Sequence, residues 1–174
     1  SDTIMSTSSS VADFFADFTL GQCDSVSSRD YYFDSYAHRE AYEDLLKDTV
    51  HTDAYRKAIL LNKHLFQGKR VLVVRCGLGV LPYLVAEAGA ELVIAQEKNL
   101  VGRYVTSIAK ANRYSTIVSA LGDIADPAFK LPYGLTEVDI IVSEPMGYAL
   151  LHESRIREVL IARDRFLRAG GKII

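Results

Sequence analysis

Short apolar segments alternate with helical ones from Lys69 to the end of the sequence, and that alternation narrows the fold more than any other feature. Arg70-Val71-Leu72-Val73-Val74 is β-branched and apolar, and runs into a glycine-containing turn, Cys76-Gly77-Leu78-Gly79. Val80 to Ala88 has helical spacing and stops at Gly89. A second strand, Leu92 to Ala95, ends at Gln96-Glu97-Lys98. Leu100 to Asn112 reads as a helix, Ile117 to Ala120 as a third strand and Val138 to Val142 as a fourth, followed by Ser143-Glu144-Pro145-Met146-Gly147. Ser154 to Leu167 is a helix closed by Ala169-Gly170-Gly171, and Lys172 begins a fifth strand. Strands that are apolar at successive positions are buried on both faces. Their alternation with helices predicts an α/β fold with a mostly parallel, doubly wound sheet. Such sheets bind ligands at the carboxyl ends of their strands. Function is therefore expected in the turns at 75–79, 96–98, 122–125 and 143–147.

The preceding residues are less regular. The first ten are rich in Ser and Thr and are expected to be mobile. Val11 to Leu20 has the pattern of a short amphipathic helix, and 21–30 reads as loop. Tyr31 to Lys47 is aromatic and then helical, with Ala41, Leu45 and Leu46 on one stripe. A second helical stretch carries Tyr55, Ile59, Leu60 and Leu65, with Thr52 as its expected N-cap. The organisation expected is an N-terminal segment, 1–30, and one domain, 31–174, whose last strand is cut short as in a piece of a longer protein. A length of 174 residues suits one domain. A net charge of −2 gives no electrostatic footprint for nucleic acid. No apolar run approaches the roughly 20 residues of a membrane helix, and the first residues lack the regions of a signal peptide. Two cysteines, Cys23 and Cys76, supply neither a disulfide framework nor a metal site. A cytoplasmic location is expected, with the nucleus also open.

Two constellations carry chemistry. Gly77 and Gly79 let backbone approach a nucleotide after the first strand, and Glu97 at the end of the second can hold both ribose hydroxyls. A bare G-x-G is more often an ordinary tight turn; the acid at the right offset makes a nucleoside-type ligand an even alternative. The other pair is Glu144 and Glu153, in a loop leaving the fourth strand. Two converging carboxylates suit the planar fork of a guanidinium, although by spacing alone they are more often solvated surface acids.

The wording of this loop, SEPMGYALLHES at 143–154, resembles the double-Glu loop of the protein arginine methyltransferases. YYFDSYAH at 31–38 resembles that family's N-terminal signature. Further similarity lies in LKD at 46–48, TDAYRKAI at 52–59, HLFQGKRVL at 64–72, AEAGAELVIAQE at 86–97 and VLIARDRFLRAGGKII at 159–174. The resemblance covers the chain from about Tyr31 onward and is nearest the asymmetrically dimethylating, type I branch. It implies a Rossmann-like domain that uses S-adenosylmethionine to methylate arginine side chains. Glu144 and Glu153 would orient the substrate guanidinium, by positioning and charge placement. Tyr32, Phe33 and Tyr36 would fold over the cofactor, Gly77 and Gly79 approach it, and Glu97 hold its ribose. The family's β-barrel and dimerisation arm would lie beyond Ile174.

The departures from the family pattern gather around one ligand. Its first-strand motif, V-L-D-x-G-x-G-T-G, here reads Val71-Leu72-Val73-Val74-Arg75-Cys76-Gly77-Leu78-Gly79. The acid is replaced by Val73, the first glycine by Arg75 and the threonine by Leu78. Arg75 puts a long cation where backbone approaches the ligand, at a turn expected not to tolerate a side chain; it is expected either to block the site or to pair with a local carboxylate. His51 stands where the family places an arginine for the cofactor carboxylate, Tyr42 where it places a histidine, and Ala125 where a glutamate contacts adenine. Each hydrogen bond to a charged group contributes about 1.5–3 kcal/mol. Losing two or three costs about 4–8 kcal/mol, and each 1.4 kcal/mol is about tenfold in affinity. Tight cofactor binding is therefore not expected, and the retained site residues are expected to be vestigial. Family members form ring-shaped dimers, so the role implied is a prozyme: a non-catalytic subunit that docks on a catalytic paralogue through the outer face of helices within 37–65 and 80–112. It would reach Arg-rich or Arg-Gly protein substrates only through that complex. Two other roles are kept open, an active methyltransferase with a divergent pocket and a non-enzymatic binder of Arg-rich peptides.

Overall fold

The computed structural model describes residues 47–147, 149–151 and 155–174. The expected helix at Val11 to Leu20, the aromatic signature at 31–38 and the helical stretch around Ala41 and Leu45 lie outside the described residues. Helix α1 (Thr49–Leu60) and the short α2 (Lys63–Phe66) lead into β1 (Arg70–Val74). Then follow α3 (Val80–Glu87), β2 (Leu92–Glu97), α4 (Arg103–Ala111), β3 (Ile117–Leu121), β4 (Val138–Ser143), α5 (Arg155–Phe166) and β5 (Leu167–Ile173). The strands form one sheet in the order β3-β2-β1-β4-β5, and every pairing is parallel. This is the Rossmann-like arrangement of S-adenosylmethionine-dependent methyltransferases. The order reverses between β1 and β4, and that switch point opens a crevice at their carboxyl ends.

β1 shows why its sequence is apolar at every position. Val71 and Val73 pack with Ile59, Leu84, Val85, Val93 and Ile140 on one face. Leu72 and Val74 pack with Ile94, Ile124, Ile141, Val159 and Phe166 on the other. All four are fully buried, and full burial of each such side chain contributes about 1.5–3 kcal/mol. Val73, at the position of the family's acid, is thus a core residue.

Two boundaries differ from the sequence reading. α1 is capped by Asp48 rather than Thr52: an Asp48 carboxylate oxygen accepts the N–H of His51 at 3.0 Å. The carboxylate starts the helix about one turn early and satisfies one of its orphan amides. Ala169-Gly170-Gly171 does not close α5, which passes directly into β5. Leu167 already pairs with Val138, and the glycines absorb a register shift before Lys172 pairs with Ile140, with Gly170 at φ 72°. Among the described residues, no helix is long and apolar enough to cross a membrane.

Candidate functional site

The turn after β1 keeps a glycine-type backbone although its first glycine is replaced. Arg75 lies at φ 57°, Gly77 at 55° and Gly79 at 101°. The expectation that a side chain would not be tolerated at 75 is corrected: Arg75 adopts the left-handed conformation, at a cost of about 1–2 kcal/mol. Gln96, at the end of β2, offsets that cost. Its side-chain oxygen accepts the Arg75 N–H at 3.0 Å, its backbone oxygen accepts the Cys76 N–H at 3.0 Å, and its amide donates to the Gly122 carbonyl at 2.7 Å. One buried glutamine therefore ties the turns after β1 and β3 to β2.

The Arg75 side chain is only 7% exposed and lies between two carboxylates. Its Nη1 stands 3.5 Å from Oε1 of Glu97, and its Nε stands 3.5 Å from Oε2 of Glu158 on α5. These are ion-pair rather than hydrogen-bond distances. Glu97 is 2% exposed and otherwise committed to backbone. Its Oε2 accepts the Gly77 N–H at 2.9 Å, and its Oε1 accepts the N–H groups of Lys98 at 2.8 Å and Asn99 at 3.1 Å. A carboxylate offers about four acceptor directions; three backbone amides take three of them, and the Arg75 charge lies beside Oε1. Burial raises the Glu158 carboxyl above its ordinary range, against the opposing pull of Arg75 and Lys98. Lys98 also pairs with Asp123 at 3.2 Å on the rim. Burial would raise Asp123, but the Ala125 N–H on its carboxylate and the charge of Lys98 outweigh that and hold it low.

The other predicted positions divide clearly. Glu144, leaving β4, faces His51 of α1, with Oε1 3.3 Å from Nε2. The His51 ring also lies 5.1 Å from that of Tyr55, whose hydroxyl is raised by burial and then by the Glu144 charge. Leu78 is half-buried in the turn, and Ala125 is exposed beyond β3. Glu153, Tyr32, Phe33, Tyr36 and Tyr42 lie outside the described residues. Sequence reasoning missed Gln96 and Glu158. Glu158 carries no motif; only the fold brings it to Arg75. Among the described residues no cluster of His, Cys, Asp or Glu is suited to a metal.

No family model matches the chain. It is 43% identical over 148 residues to protein arginine N-methyltransferase 1 of Caenorhabditis elegans, covering 85% of this chain and 42% of that protein. The Dictyostelium discoideum protein of the same name is 42% identical over 155 residues, covering 89% and 45%. The chain belongs to the protein arginine methyltransferase family. It spans less than half the length of these curated relatives. Among solved structures, the Trypanosoma brucei PRMT1 enzyme-prozyme heterotetrameric complex with AdoHcy matches at a TM-score of 0.74 and 38% identity, over 80% of this chain and 43% of that one. Arabidopsis thaliana protein arginine methyltransferase 10 matches at 0.75 and 40% identity, over 80% and 39%. In this member of the family, the side chain of its own Arg75 lies at the carboxyl ends of the strands, between Glu97 and Glu158.

Proposed function

We propose that the chain belongs to a non-catalytic subunit that pairs with a catalytic arginine methyltransferase and activates or stabilises it. One observation carries this: the buried Arg75 guanidinium on Glu97. The residues present do not fit S-adenosylmethionine. The acid expected to hold ribose already accepts three backbone amides and faces a buried cation. The acid of the first-strand motif is replaced by a fully buried valine. The cation expected to meet the cofactor carboxylate is replaced by His51, which faces Glu144 instead. A fold kept intact while its ligand contacts are lost suits a subunit retained for its surface. The similarity to an enzyme-prozyme complex supports the same partnership.

Calorimetric titration of S-adenosylhomocysteine into the purified chain tests the pocket. No binding up to about millimolar ligand is expected, a loss of about a thousandfold or more from a micromolar site. Micromolar binding would sink the proposal in favour of an active enzyme with a divergent pocket. Partnership is tested by co-purification of the full-length protein with a catalytic paralogue and by the change in that paralogue's turnover.

A further inference from the structure

Arg75 is more than an obstacle in the crevice. Its guanidinium touches two carboxylates on different elements, Glu97 at the end of β2 and Glu158 one turn into α5. α5 follows the loop that carries Glu144, and β2 belongs to the other side of the switch point. The crevice walls are thus bridged from within. The opposing acids would repel one another without the cation, and burial raises that cost because low-polarity surroundings penalise unpaired charge. Lys98 is held by Asp123 on the rim, so the buried cation between Glu97 and Glu158 is Arg75.

We infer that Arg75 is an internal substitute for a bound ligand, an intramolecular clamp joining the β1 turn and β2 to α5. The crevice is ordered by the chain's own guanidinium, so the subunit can present a folded cofactor domain to its partner at any cofactor concentration. This deepens the function proposed above, resting on it only for the ligand being dispensable. Glu158 is a positioning residue here, acting through Arg75.

Hydrogen exchange followed by mass spectrometry on the purified chain tests the clamp, with E158Q and R75G beside the wild type. E158Q keeps the side-chain shape and removes the charge, so it stands as the readout if R75G fails to fold. Segments covering 75–79 and 155–160 should together exchange about tenfold faster in both variants, while amides of β1 and β4 stay protected. Unchanged exchange in folded E158Q would overturn the clamp. The two proposals fail separately: protection of wild type by about millimolar S-adenosylhomocysteine would overturn the loss of cofactor binding, while the clamp would still be decided by E158Q.

Discussion

Nε2 of His51 and Oε1 of Glu144 stand 3.3 Å apart, joining the first turn of α1 to the end of β4. The carboxylate that the family resemblance assigns to a substrate guanidinium is thus met by a side chain of this protein. Both groups are partly exposed, so the contribution is modest. A double-mutant cycle of H51A and E144Q, read by urea unfolding, should give a coupling of about 0.2–1 kcal/mol that shrinks in high salt. A coupling of zero at low salt would mean that the two side chains merely pass each other.

Arg165 fastens the loop beyond β3. Its guanidinium donates to the carbonyls of Ile124 at 2.6 Å, Asp126 at 2.7 Å and Phe129 at 2.8 Å. Hydrogen bonds to charged groups contribute about 1.5–3 kcal/mol. R165M should lower stability by about that amount, with R165K recovering part of it, because an ammonium cannot span the carbonyls as a planar fork does. Thermal unfolding of the two variants distinguishes this from simple loss of surface charge, under which R165K would match the wild type.

Gly102 lets the chain after β2 turn tightly against Glu97. A Cβ there would lie 2.7 Å from Cβ of Glu97 and 2.7 Å from Cδ2 of Leu121. G102A should therefore cost about 1–3 kcal/mol by overpacking, lowering the melting temperature by roughly 2–4 °C per kcal/mol. An unaltered melting curve would show that β3 shifts freely at the sheet edge.

The two acids near Arg75 and Lys98 should respond oppositely to pH. Glu158 is raised in the folded state by burial, from an ordinary 4.5. Its contribution to stability is fully present below that value and is lost as pH rises through the higher folded value. Asp123 is held below its ordinary 3.8, burial being outweighed by the Ala125 N–H and Lys98. Its contribution is present above that value and is lost as pH falls through the lower folded one. Relative to E158Q, the wild type should lose stability as pH rises from about 4.5; relative to D123N, it should lose stability in acid. Urea midpoints across pH decide both, and parallel curves would refute the assignments.

The sequence by itself determined the sheet and the ligand-facing end. Runs such as Val71 to Val74 are apolar at every position because both faces are covered, and that local pattern needs no partner to be read. The glycine turn, Glu97 and Glu144 were legible for the same reason: each sits at a strand end fixed by local chain direction. Helix limits were less so. Asp48 displaced Thr52 as the cap of α1, and Leu167 paired with Val138 before the glycines could end α5. Only the tertiary structure decided what Arg75 does. Its two acids lie 22 and 83 residues further along the chain (97 − 75 and 158 − 75). No spacing rule links such positions; burial does, since a cation held out of water must find carboxylates wherever the fold brings them.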